Sequence, residues 1–307
     1  MKRTKIMKSY EGILLCSDFD DTIAVGGKVS KENIEAVNYF KSRGGMFTII
    51  SGRNYESFGT LRREMEFNAP FGGLNGSLIT DLQSGDVLRK IPVRKYHVLN
   101  AIEVYKVHPE MKINSIFFEN GALQLAKEEG KLRARLYSYT NMGHVIADEV
   151  WLTSVNDLEC RIEYDADGNE ILITGNSAID VYLRQDIYKN VIHTPSDMTS
   201  PENVTAIRSY LLSLYGDEVD VFRSWPYGVE IQNIKANKGT AIEFLKEYTG
   251  ATKSVAIGNY ENDISMIKAA DVGVAVGNCF AECIKAADIV TVSCEEHSVA
   301  DLIYNYL

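Results

Sequence analysis

Two apolar runs near the start of the chain, Ile13-Leu14-Leu15-Cys16 and Met46-Phe47-Thr48-Ile49-Ile50, are each followed at once by a polar cluster. Runs this short and this uniformly apolar read as strands buried on both faces. Such strands joined through helices make a parallel sheet. Between the two runs, Gly26-Gly27 marks a turn and Ser30 is placed to cap a helix with Ile34, Val37 and Phe40 on its apolar face. Gly44-Gly45 ends that helix, and a second is expected through Tyr55, Phe58, Leu61 and Met65. The far end of the chain repeats the alternation. Helices are expected over 238–248, 263–270 and 281–286, strands over 254–257, 272–276 and 289–292, and a closing helix through Val299, Leu302, Ile303 and Tyr306.

The middle of the chain has another pattern. Ser84-Gly85, Asn120-Gly121 and Asp167-Gly168 each lie between strand-like runs, as hairpin turns do, and helical periodicity intervenes only over 95–107 and 203–215. The expectation is therefore an α/β chain with a Rossmann-like parallel-sheet core, residues 1–84 and 232–307, and an inserted α+β domain over 85–231. No Pro/Gly/Ser-rich linker separates them, so the joins should be two short crossovers near 82–89 and 231–235.

Composition narrows the partners. A chain of 307 residues suits two domains, and 42 acidic against 32 basic residues gives a net charge of −10. That balance argues against nucleic acid, whose phosphates need clustered Lys and Arg. No apolar run approaches the roughly 18 residues of a membrane span, and the basic stretch 1–8 has no signal-peptide core after it. Five cysteines form no Cys-x-x-Cys pair and suit a reducing compartment, so a cytoplasmic protein is expected. Cys279 and Cys283, four apart, read as packing on one helix face rather than a zinc site. The oligomeric state is left open.

The polar clusters gather at one place. Asp18-Phe19-Asp20-Asp21-Thr22, Ser51-Gly52-Arg53 and Gly258-Asn259-Tyr260-Glu261-Asn262-Asp263 all follow the C-terminal ends of expected core strands, the edge where open parallel sheets bind ligands. Asp18 and Asp20, two apart in extended chain, can face one pocket, where they repel unless a cation or shared proton intervenes. A hard divalent ion such as Mg2+ would suit Asp18 with Asp263; one carboxylate can then attack phosphorus while the other handles protons. An acidic solvated turn is the plain alternative. Ser51-Gly52 offers a hydroxyl and backbone N–H groups to a phosphate oxygen, or merely caps a helix. Lys238 opens a helix, where the dipole disfavours a cation unless an anion faces it; a surface lysine is the alternative. Asn259 and Asp263 share a face if the helix has begun there.

Together these residues resemble the haloacid dehalogenase superfamily of phosphohydrolases, in its Cof-like branch. Asp18 to Thr22 resembles the first motif, Asp-x-Asp-x-Thr; Ser51-Gly52-Arg53 the second; Asn237-Lys238-Gly239 the third; Gly258 to Asp263, with Met266 after it, the fourth. Gly273-Val274-Ala275-Val276-Gly277-Asn278 and Ala286-Ala287-Asp288 are also similar to this branch. The resemblance implies a Mg2+-dependent phosphatase acting on a small phosphorylated metabolite, such as a sugar phosphate, through a phosphoaspartate. Asp18 would be the nucleophile and Asp20 the acid and base. Mg2+ would be held by Asp18, the Asp20 carbonyl, Asn259 and Asp263. Ser51, Gly52, Lys238 and Asn262 would bind the phosphoryl group, and the insert would be the substrate-selecting cap. Asn259 stands where the family usually has an acid, which predicts weaker Mg2+ binding. Asp21 replaces a common Gly, and Glu296-His297-Ser298 stands where Glu-Asp-Gly is frequent.

Other readings compete. A catalytically weak relative that binds a phosphorylated metabolite is motivated by Asn259. A phosphoacceptor domain is disfavoured by the large insert and the Asp-x-Asp pair, and dehalogenase chemistry by Asp20 and Lys238. Asp165-Ala166-Asp167-Gly168-Asn169 imitates a calcium loop, but its Gly is fourth rather than sixth and the twelfth residue is Asn176, so a hairpin turn is expected. Phe117, Phe118, Tyr137, Tyr139, Trp151, Trp225 and Tyr227 are expected mostly in core or lid packing.

Overall fold

A computed structural model of the chain describes residues 9–58, 65–140, 143–195 and 198–307. The chain divides into two compact units, one over Met1–Arg53, Thr60–Leu88 and Asn237–Leu307, the other over Asn54–Gly59 and Arg89–Ala236.

The first unit is built on five parallel strands: β1 (Ile13–Ser17), β2 (Met46–Ile49), β3 (Lys253–Gly258), β4 (Val272–Ala275) and β5 (Ile289–Val290), in the order β5-β4-β3-β1-β2. β1 lies inside the sheet, between β3 and β2, and Leu14, Leu15 and Cys16 are buried whichever way they point. Leu15 lies between Val255 of β3 and Phe47 of β2. Helix α1 (Lys31–Ser42) starts where expected, with the Ser30 hydroxyl accepting from the Asn33 N–H at 3.2 Å. Its buried face is Asn33, Ala36, Val37 and Phe40, one step round from the expected one, leaving Ile34 half-buried. Asn33 can go inside because its amide is used twice, donating to the Ile23 carbonyl and accepting from the Ala300 N–H. Helix α2 (Lys238–Thr249) is capped by Asn237, closes on the left-handed Gly250, and buries Ala241, Ile242 and Leu245 against Leu14, Cys16 and Ala256.

Three expectations are adjusted here. The helix through Tyr55 and Phe58 is a single 3-10 turn, Tyr55–Phe58, and its continuation through Leu61 lies outside the described residues. The fourth cluster forms a 3-10 turn, Glu261–Asp263, before a short helix, Ile264–Ala269, so Asn259 precedes the helix rather than sharing its face. The closing helix is Ser298–Asp301 followed by a wider turn, Leu302–Tyr306. Cys283 is buried among Ile267 and Ala275 with Cys279 packed alongside, as packing residues would be.

The second unit is α+β. Seven antiparallel strands run in the spatial order Gly143–Leu152, Lys131–Thr140, Gly121–Glu128, Ile113–Phe118, Lys189–His193, Gly228–Asn233 and Val219–Phe222. Helices Lys95–Val107 and Pro201–Tyr215 bury Val98, Ile102, Tyr105, Val204 and Leu211 in one core with Ile116, Leu123, Leu125 and Ile231 of the sheet. Alternation puts Lys189 and Glu230 on the other face, paired at 3.1 Å and almost wholly buried.

The hairpin between Phe118 and Gly121 turns through Glu119-Asn120, one residue earlier than expected. Gly121 is already in the strand, and a Cβ there would lie 2.3 Å from the Tyr137 carbonyl oxygen, so its role is close packing rather than turning. The turn at Asp165 is a hairpin loop, with Asp165 Oδ1 accepting from the Asp167 and Asn169 N–H groups at 2.9 and 2.8 Å. Among the aromatics, Phe118 is buried, but Trp151 is 50% exposed, its indole N–H donating to Glu149. Among the described residues, no helix is long and apolar enough to cross a membrane.

Candidate active site

The first unit brings three of the four sequence clusters onto one buried ammonium. Lys238 Nζ donates to Asp18 Oδ1 and to Asp263 Oδ1, each at 2.5 Å, with Lys238 and Asp263 fully buried and Asp18 nearly so. Each group arrives for a local reason. Asp18 follows the end of β1, where its N–H continues the ladder by donating to Ile257 O at 2.9 Å. Lys238 is the first residue of α2. Asp263 ends the turn after β3, and its Oδ2 accepts from the Asn259 and Tyr260 N–H groups at 2.8 and 3.0 Å. The cation expected to face an anion at the helix start therefore faces two carboxylates of its own chain.

Two glycines allow this approach. A Cβ on Gly258 would lie 2.4 Å from the Asp263 Cβ, and one on Gly239 would lie 2.7 Å from the Ser265 carbonyl oxygen. The first clash would displace Asp263 within the fourth cluster, and the second would push the chain after that cluster away from the third.

Two buried carboxylates share one ammonium, and the titration behaviour follows from that. Burial pushes the Asp18 carboxyl up to about 7, and Asp263 adds to the rise while Lys238 opposes it. Burial alone would lower Lys238, but Asp18 and Asp263 outweigh it and hold the ammonium above its ordinary value.

Asp20 is placed differently. Its carboxylate is held in a two-point bridge by Arg53, Nε to Oδ2 at 2.7 Å and Nη2 to Oδ1 at 2.6 Å, and is about half exposed. Arg53 was legible only as part of its motif; this pairing gives it a contact that periodicity cannot show. Asp21 takes a left-handed conformation, φ 51°, in the turn that returns the chain from Asp20 to Ala24. An acid at that position, in place of a glycine, is tolerated because Asp accepts this region better than most residues.

Ser51 is buried after β2, with its Oγ accepting from the Arg53 N–H at 3.2 Å, and Gly52 lies half-buried between them. Asn262 donates through Nδ2 to Asn75 Oδ1 at 3.1 Å, and the Asn75 N–H donates to the Ser51 carbonyl at 2.8 Å. Asn259 accepts at Oδ1 from the Thr22 hydroxyl, 3.1 Å away. Thr22 is legible in the sequence only as a motif residue, and Asn75 belongs to none of the motifs; the pair Asn75-Gly76 after a strand is its one sequence signal.

Among the described residues, no group of three or more His, Cys, Asp or Glu side chains is arranged to hold a metal ion. The expected set draws on two carboxylates, an amide and a backbone carbonyl instead. Asp18, Asp263, the Asn259 amide oxygen and the Asp20 carbonyl are all hard oxygen donors, and two carboxylates buried together fit a small divalent cation such as Mg2+.

Comparison with known proteins gives the family. A family model of haloacid dehalogenase-like hydrolases matches residues 15–303. The chain belongs to that family, in its Cof-like branch. It is 24% identical over 301 residues to the 5-amino-6-(5-phospho-D-ribitylamino)uracil phosphatase YitU of Bacillus subtilis, covering 95% of this chain and 97% of that one. It is also 24% identical over 298 residues to the pyridoxal phosphate phosphatase YbhA of Escherichia coli, covering 96% and 98%. The solved structure of a subclass IIB sugar phosphatase of the superfamily superposes with a TM-score of 0.66 at 16% identity, covering 95% of this chain and 98% of that one. The α/β fold with an inserted α+β domain and the enzyme class, a phosphoric monoester hydrolase, are borne out.

Proposed function

We propose that the chain is a Mg2+-dependent phosphatase that hydrolyses a small phosphate monoester, of the sugar-phosphate kind, through a phosphoaspartate on Asp18. The observation that carries this reading is the convergence of Asp18, Lys238 and Asp263 on one buried point. Carboxylates of separate clusters held by one lysine make a site poised for a phosphoryl group and its counter-charges.

In this reading a carboxylate oxygen of Asp18 attacks phosphorus and the P–O bond to the leaving group breaks. Asp20 gives its proton to the departing oxygen. Asp20 then takes a proton from the water that attacks the phosphoaspartate, releasing inorganic phosphate and restoring Asp18. Lys238, Ser51, the Gly52 N–H and Asn262 bind the phosphoryl oxygens. Mg2+, held by Asp18, the Asp20 carbonyl, Asn259 and Asp263, would supply positive charge against the oxygens that become more negative. Arg53 holds the Asp20 carboxylate at two points, so one of these bonds must open before that oxygen can carry the proton Asp20 gives to the leaving group. The inserted α+β unit is assigned the selection of the substrate.

The relatives that act on a ribitylamino-uracil phosphate and on pyridoxal phosphate support a small phosphorylated metabolite as substrate. The second reading, a weak catalyst that chiefly binds such a metabolite, is favoured by one observation, Asn259 in place of an acid. A phosphate-release screen over sugar phosphates, nucleotides and cofactor phosphates, at low and high Mg2+, separates them. Turnover is expected to require Mg2+ and to fall at least about a thousandfold in Asp18→Asn, since the nucleophile is removed. Absence of release from every compound, in Asn259→Asp as well, would leave the binding reading.

A further inference from the structure

Leu74, Asn75 and Gly76 adopt three successive left-handed conformations, φ 48°, 55° and 95°. Leucine is poorly suited to this region, and non-glycine residues held there concentrate at functional sites. This short loop, buried throughout, touches three of the sequence clusters at once. Toward the second, the Leu74 N–H donates to Arg53 O at 3.1 Å and the Asn75 N–H to Ser51 O at 2.8 Å. Toward the third, a Cβ on Gly76 would lie 2.7 Å from the Ala241 Cβ and 2.9 Å from the Asn237 carbonyl oxygen, so the loop abuts the start of α2. Toward the fourth, Asn75 Oδ1 accepts from Asn262 Nδ2 at 3.1 Å.

We propose that Asn75 is a positioning residue: its backbone fixes Ser51 while its carboxamide orients Asn262, so that the two present their donors to the phosphoryl group together. The residue type fits both duties. Asn accepts the left-handed backbone better than other residues with a side chain, and its oxygen is an acceptor that leaves the second amide proton of Asn262 for a ligand. Asp would add a negative charge beside the phosphoryl group, and Gly would keep the backbone but lose the acceptor. The identity of what Ser51 and Asn262 hold rests on the proposed function, whereas the fixing of Asn262 does not.

The test uses the full chain with Mg2+ and inorganic phosphate as the probe, so turnover is not needed. Asn75→Gly keeps the left-handed backbone, and its thermal transition reports folding. The variant is expected to bind phosphate about tenfold more weakly, the loss of one oriented hydrogen bond. Asn262→Ala should weaken binding similarly, and the double variant should be no weaker than Asn262→Ala alone, because Asn75 acts through Asn262. Unchanged affinity in Asn75→Gly, or losses that multiply in the double variant, would overturn the proposal. A second readout is the side-chain amide resonance of Asn262, identified by its disappearance in Asn262→Ala. It should exchange slowly in the native chain and quickly in Asn75→Gly, and equal exchange in both sinks the idea. Failure of the native chain to bind phosphate would count against the proposed function; the amide exchange would then decide the role of Asn75 by itself.

Discussion

Asn259 receives a hydroxyl hydrogen bond from Thr22 at its amide oxygen and donates its own N–H to Asp263, so its side chain and backbone are both fixed. An aspartate would fit the same contacts, since a carboxylate oxygen accepts from Thr22 equally well. What changes is charge. Asn259→Asp adds a third carboxylate near Asp18 and Asp263, which repel one another unless a cation neutralises them. Mg2+ affinity is therefore expected to tighten by about an order of magnitude, measured by titration calorimetry. An unchanged affinity would place Asn259 outside the metal shell and remove the case for weak binding in the native chain.

The turn after β3 shows how an element's end is fitted to its task. Gly258 closes the strand, and a Cβ there would overlap the Asp263 side chain. Gly258→Ala is expected to destabilise the fold by about 2 kcal/mol, the usual cost of forcing extra volume into a packed site. It should also weaken phosphate binding by displacing Asp263 from Lys238. Urea denaturation reads the first effect, and a variant as stable as the native chain would show that the turn can give way. The other end of β3 is anchored by Asp271, which accepts from the Ser254 N–H at 2.6 Å and from Lys246 of α2 at 2.6 and 2.8 Å. The Lys246 bond first, and the Ser254 N–H next, hold its carboxyl down to about 2. A carboxyl lowered in the folded chain binds fewer protons there than in the unfolded chain. Its stabilisation is thus complete above the ordinary carboxyl pKa of about 4 and disappears as pH falls toward 2. The pair is substantially exposed, so the effect is less than about 1 kcal/mol. Asp271→Asn should unfold at lower temperature than the native chain at pH 7, and the two midpoints should converge by pH 2. A gap that persists at pH 2 would assign the effect to packing instead.

At the scale of the molecule, the division into units follows from where each core closes. The second unit has a continuous apolar core between its helices and its seven-stranded sheet, and it takes in Asn54–Gly59, whose Asn54 amide donates to Glu119 O at 2.8 Å. A fragment of residues 89–236 retains that core; among the described residues of the unit it leaves out Asn54 and the turn at Tyr55–Phe58. It is expected to unfold in a single cooperative thermal transition followed by near-ultraviolet circular dichroism. A fragment without fixed aromatic signals would show that the insert needs the rest of the chain to fold.

Buried strands leave short apolar runs, helices between them leave a 3.6-residue period, and loops at strand ends carry the polar residues. Alternation, the site motifs and the α+β character of the insert were therefore legible in the sequence, because each is a local pattern. Pairing across the chain leaves no such trace. Lys238 reaches an aspartate 220 residues away, and Arg53 finds Asp20 across two strand ends. The sign of a backbone torsion is equally silent in periodicity: Leu74 and Asn75 are left-handed because the surrounding packing holds them so. The residues proposed for the chemistry were set by the local sequence. Which of them touch, and which residue orients them, was decided only when β1, α2 and the turn after β3 packed together, since contact distance is a property of the folded chain.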